Sequence, residues 1–172
     1  MKQGTRRKLL LGIVFVLEIF VLFLIGDTAA VLPIIGGAKP ALMVCVAVSI
    51  ALTGVKELTA MTYGIFCGLL MEFSQGGPYG FHAMILAASC YTIAALVRKL
   101  FQKNLLSALM MTVLTILLVF SLHWLFFYVV WGYGTIGYVL LHYYVPMAIY
   151  TFVCAIPIYF LTRGLSAVGR TD

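Results

Sequence analysis

Residues 9–25 read LLLGIVFVLEIFVLFLI, and fifteen of these positions are Leu, Ile, Val or Phe. A helix that is apolar on every side belongs in hydrocarbon or in the middle of a large core. On insertion scales those fifteen side chains contribute about −4.5 to −9 kcal/mol in sum, against about 2.5–3.5 kcal/mol for a central charge. The stretch therefore inserts with Glu18 inside it. Lys2, Arg6, Arg7 and Lys8 precede the run and Thr28-Ala29-Ala30 follows it, in imitation of a signal peptide. The run exceeds the usual apolar core of such peptides, about 7–15 residues, so it reads as a retained first helix.

The same pattern continues down the chain. With 64% hydrophobic and 9% charged residues in 172, the composition exceeds the roughly 45–50% apolar content of soluble domains, and a water-soluble fold of this size is excluded. The expected fold class is all-α and membrane-integral, a single polytopic unit over residues 1–172 with six transmembrane helices. Their expected bounds are 9–25, 41–55, 58–73, 81–97, 105–131 and 138–161. Pro33 to Gly37, Lys56-Glu57, Ser74 to Gly80, Arg98 to Lys103 and Gly132 to Gly137 separate them. Helices two and three fall below the roughly 20 residues of a perpendicular span, which requires local thinning or shielding inside the bundle. Helix five is long and must tilt or protrude, and Pro146 and Pro157 predict kinks in helix six.

Charge sets the orientation. Lys2, Arg6, Arg7, Lys8, Lys56, Arg98, Lys99, Lys103, Arg163 and Arg170 fall on one side of this layout and only Lys39 on the other. Cations of short loops accumulate on the cytoplasmic side, so both ends are expected there. Trp124, Trp131, Tyr133, Tyr138, Tyr143 and Tyr144 gather on the opposite side as an aromatic belt. The formal charge of +6 thus reads as topology, not as a nucleic-acid surface.

The most specific stretch is GIFCGLLMEFSQGGPYG, residues 64–80. Gly64, Gly68 and Glu72 recur every four residues and share one helix face, where two absent side chains admit another helix closely. That face ends in a carboxylate, expected near the outer interface as a solvated helix end or a partner contact. Gly76, Gly77, Pro78 and Gly80 then permit a turn with positive φ. A glycine-spaced short helix, an acidic residue and a glycine turn opening the next helix resemble the MreD family of rod shape-determining proteins. The basic first residues, Lys39-Pro40 and the basic cluster after helix four extend the resemblance over most of the chain. The resemblance leads one to expect aspartate where Glu72 stands, so the charge agrees and the side-chain length does not.

That resemblance implies a non-enzymatic inner-membrane scaffold of the bacterial elongasome, supporting lateral peptidoglycan synthesis. Its implied partners are MreC through its transmembrane region, the MreB filament, RodA and the elongation-specific penicillin-binding transpeptidase. The implied fold is similar to the S component of energy-coupling-factor transporters, and a vitamin-binding S component is the rival reading. Such subunits offer an Ala-x-x-x-Ala surface on helix one, and residues 9–25 contain no alanine. Expected contact residues are Gly64, Gly68, Glu72, Gly76, Gly77, Pro78 and Gly80, with Arg98, Lys99 and Lys103 facing cytoplasmic partners or anionic lipid.

Glu18 is expected to face the bundle interior, with Thr115 and Tyr150 at similar depth as hydrogen-bond partners. His82, His123 and His142 are too scattered for a metal-ligand spacing, and Cys45, Cys67, Cys90 and Cys154 show no CxxC spacing. No nucleophile elbow, P-loop or paired carboxylates appear, so neither catalytic residues nor a cofactor are expected. The topology is open to direct measurement: a reporter fused after Lys103 should be active only as a cytoplasmic fluorescent protein, and one fused after Gly77 only as a periplasmic phosphatase.

Overall fold

The computed structural model describes residues 2–28, 39–75, 80–99, 105–130 and 136–168, and every regular element among them is a helix. Six helical runs follow one another. They are α1 (Lys2–Asp27), α2 (Leu42–Leu52), α3 (Glu57–Gln75), α4 (Phe81–Lys99), α5 (Leu105–Trp124) extended by a π-helical segment (Leu125–Val129), and a last composite run. That run joins α6 (Ile136–Val139), a second π-helical segment (Leu140–Tyr144) and α7 (Val145–Val168). Leu9–Asp27, Phe81–Lys99, Leu105–Val129 and Gly137–Ala167 are each long and apolar enough to cross a bilayer. The chain is an all-α, multi-pass membrane protein.

The interior is built on α2. Its eleven residues rise only about 16 Å at 1.5 Å per residue, too little for a span. Every residue from Ala41 to Leu52 is buried, and α2 touches α1, α3, α4, α5 and α7. Shielding inside the bundle, rather than bilayer thinning, accommodates its length. Thr151 of α7 fixes its start, accepting the Ala41 N–H on Oγ1 at 3.0 Å and a bond from Cys45 Sγ on its carbonyl at 3.3 Å. At the other end the chain turns through Gly54 at φ +84°, a conformation that glycine adopts without steric cost.

Helices α3 and α4 form an antiparallel hairpin. A Cβ on Gly64 would lie 2.6 Å from the Leu86 carbonyl oxygen, and one on Gly68 would overlap Ala83 Cα and lie 2.5 Å from the Ala83 nitrogen. The glycine face is therefore filled by the backbone of α4 in the same chain. At the hairpin's open end Arg98 Nη1 lies 3.0 Å and 3.1 Å from the two Glu57 carboxylate oxygens. Half-exposed, this pair is worth no more than about 1 kcal/mol. At the opposite end Asp27 of α1 accepts a hydrogen bond from Ser74 of α3 at 2.9 Å, and Lys39 stands 4.0 Å from the same oxygen.

In the last run, the expected disturbance at Pro146 takes the form of a widened turn just before it. The Val145 N–H reaches back to the Leu140 carbonyl, a five-residue step. Pro146 has no N–H to continue the ordinary ladder, and its ring would crowd a regular preceding turn. Pro157 lies within α7.

Gly68→Ala should destabilise the purified protein by about 1–3 kcal/mol, the usual cost of forcing atoms into a packed contact. Gly12→Ala, whose Cβ would meet only Tyr63 Oη at 3.5 Å, should show no loss. Thermal unfolding in detergent compares the two.

Candidate functional site

Glu72 is the last residue of the glycine face, and it is 0% exposed. It is not a solvated helix end. Its Oε2 accepts the Gly80 N–H at 2.6 Å, and its Oε1 accepts the N–H groups of His82 at 2.6 Å and Ala83 at 3.3 Å. A helix start leaves its first N–H groups without partners along the chain and carries partial positive charge. The carboxylate answers both needs from the neighbouring helix. Gly80, at φ +103°, makes the turn that aims its N–H at Oε2.

Immediately beyond lies a cluster of rings. Phe81 meets His82, His123, Phe126 and Phe127 edge-on, with centroids 5.3–6.0 Å apart. The imidazoles of His82 and His123 lie 5.1 Å apart at 30°. His123 Nδ1 is 2.6 Å from Tyr144 Oη, and Tyr144 packs against Phe120 and Tyr128. A cavity of about 170 Å³ opens among them. His142, by contrast, stacks on Tyr138 at 4.6 Å. The structure thus brings together two histidines that their sequence spacing separates. Among the described residues no group of three or more His, Cys, Asp or Glu is arranged to hold a metal.

Glu18 faces inward at 3% exposure, but its partner is neither Thr115 nor Tyr150. Thr162 Oγ1 of α7 donates to Glu18 Oε1 at 2.5 Å, while Thr115 bonds back to the Met111 carbonyl within α5. The expected end of the sixth helix at Leu161 left Thr162 outside the bundle. The helix continues to Val168, which brings Thr162 inside.

Of the other expected contact residues, Gly64 and Gly68 pack inside the chain, Arg98 is partly exposed and bound to Glu57, and Lys99 is exposed. Gly76, Gly77, Pro78 and Lys103 lie outside the described residues.

Residues 5–168, a span that holds this hairpin and all but the ends of the bundle, match the family model described as rod shape-determining protein MreD. The chain belongs to the MreD family. No curated protein and no solved structure matches it. In this MreD-family chain the acidic residue that ends the glycine face is a glutamate on α3, and its one carboxylate spans donors from Gly80 to Ala83. The ring cluster escaped sequence reading, although a signal existed. His82 opens α4, His123 closes α5 and Tyr144 precedes α7, all at the end of the bundle opposite Arg98.

Glu72→Ala strips three backbone N–H groups of their acceptor, and the two buried ones, of His82 and Ala83, each cost about 1–3 kcal/mol when left unpaired. Glu72→Gln keeps one oxygen. The alanine variant should therefore lose clearly more thermal stability than the glutamine variant, measured side by side in one detergent.

Proposed function

We propose that this chain is a non-enzymatic scaffold subunit of the bacterial elongation machinery, seated in the inner membrane with both ends in the cytoplasm. In this reading it binds the transmembrane region of MreC. Through that complex it links the MreB filament to RodA and the penicillin-binding transpeptidase on the far side. The observation that carries the reading is the family match over residues 5–168, which favours a shape-determining role over a vitamin-transporter subunit.

The structure supports a rigid platform. Because Gly64 and Gly68 lock α3 to α4 and Glu72 holds Gly80, the described residues on either side of Gly76, Gly77 and Pro78 are fixed relative to one another. We assign partner contact to that turn, with the glycine face and Glu72 setting its position from within. Arg98 and Lys99 supply basic groups at the opposite end for cytoplasmic partners or anionic lipid, and we assign Lys103 the same role from its place in the sequence.

In a rod-shaped source organism, clean deletion of the gene should give rounded cells that the wild-type chain restores. The affinity-tagged chain should co-purify MreC from its own membranes. Normal rods after deletion, with no second copy present, would remove the functional claim. Failure to recover MreC while shape still depends on the gene would remove the partner.

A further inference from the structure

The cavity beside the Glu72 cap has a composition unlike the rest of the bundle. His82, Phe120, His123, Tyr144, Met71 and Met147 line it, and no lining residue is a lysine, arginine, aspartate or glutamate. Two π-helical segments converge on it, Leu125–Val129 bringing Tyr128 and Leu140–Tyr144 bringing Tyr143 and Tyr144. Such widened turns make up well under 1% of residues and recur at functional sites.

Size and chemistry then define an occupant. An enclosed cavity of about 150 Å³ lined by apolar groups takes up benzene, and this one, which is open on one side, measures about 170 Å³. It therefore has room for one planar ring. Its wall is not purely apolar. His82 is 2% exposed, and its Nδ1 has no hydrogen-bond partner, the Glu72 oxygen standing 3.8 Å away. A buried polar atom in that condition calls for a missing partner or for a ring held in one tautomer. The carboxylate on the Nδ1 side favours a proton there, which leaves Nε2 as a hydrogen-bond acceptor. An occupant matched to this wall is flat, uncharged and carries a donor. Phenols and indoles meet all three conditions, and Met71 and Met147 offer polarizable sulfur to the edge of an aromatic ring.

We propose that this cavity is a binding site for a single uncharged aromatic ring bearing a hydrogen-bond donor, of phenol to indole size. The ring reaches it as a free molecule or as the side chain of a tyrosine or tryptophan on a docked protein, and the chemistry recognised is the same.

The test uses the full chain in lipid nanodiscs and two probes of near-equal size, p-cresol and toluene. Ligand binding to the folded state raises the unfolding temperature in proportion to RT ln(1 + [L]/Kd). The expected result is a saturable rise with p-cresol, at a Kd at least tenfold below that for toluene. In Met147→Trp, which places an indole into the cavity, the saturable rise should disappear. In His82→Phe, which keeps the ring and removes its nitrogens, p-cresol should lose its advantage over toluene. Equal responses to both probes in the wild-type chain, or a non-saturable drift unchanged by Met147→Trp, would overturn the site. So would the absence of any response, the signature of a cavity that holds only water. Native mass spectrometry separates the two sources: a co-purifying small molecule displaced by p-cresol identifies a free ligand. A clean spectrum with p-cresol binding intact identifies a partner's side chain.

Discussion

The carboxylate of Glu72 accepting three backbone N–H groups at the start of α4 is the interaction around which the molecule is organised. Lipid cannot replace a missing hydrogen bond, so a helix that begins inside a bundle must find its acceptors in protein. Placing that acceptor on α3 rather than on the turn binds the two helices at one end. The glycine contacts then bring the backbones together along the middle, and Arg98 with Glu57 closes the other end. The carboxylate is costly to bury alone, yet with donors on both oxygens and a helix N-terminus facing it the cost is offset. Between α1 and α7 the buried Glu18 has a single donor, Thr162, on Oε1, and its Oε2 has no partner.

The bundle divides its labour between faces. α2 is wholly interior, while α1 buries only a narrow stripe including Phe15, Glu18 and Ile19 and exposes Leu9, Leu10, Ile13, Leu17 and Phe20. The polar rings His82, His123 and Tyr144 gather beside Glu72 at one end, while Glu18 with Thr162 and Thr151 with the Ala41 N–H make buried polar contacts elsewhere in the bundle. Rings pack there in edge-to-face and tilted pairs at centroid distances that aromatic pairs favour, and they leave a cavity between them.

Much of the architecture was legible in one dimension. The long apolar runs announced helices, because a segment with no polar face has nowhere else to go, and the shortness of residues 41–55 already allowed for a shielded element. The same uniformity hid the rest. Where every face of a helix is apolar, the sequence does not say which one turns inward, and so the meeting of α4 with α5 at His82 and His123 could not be read from periodicity. Glu72 was visible as a charge, but its donors lie eight to eleven residues downstream on another helix, whereas a familiar cap reaches only two or three residues along its own. Thr162 was missed for a simpler reason, a helix end placed seven residues too early.

The burial of α2 also constrains how the protein comes into being. Too short to be held in the bilayer as a lone span, this segment takes its first anchoring bonds from Thr151, which leaves the ribosome more than a hundred residues later. The nascent chain must therefore keep its future centre waiting, sheltered by the insertion machinery or by α1 and α3, until the C-terminal helix arrives. Synthesis of the last helix, rather than the first, is what completes the interior.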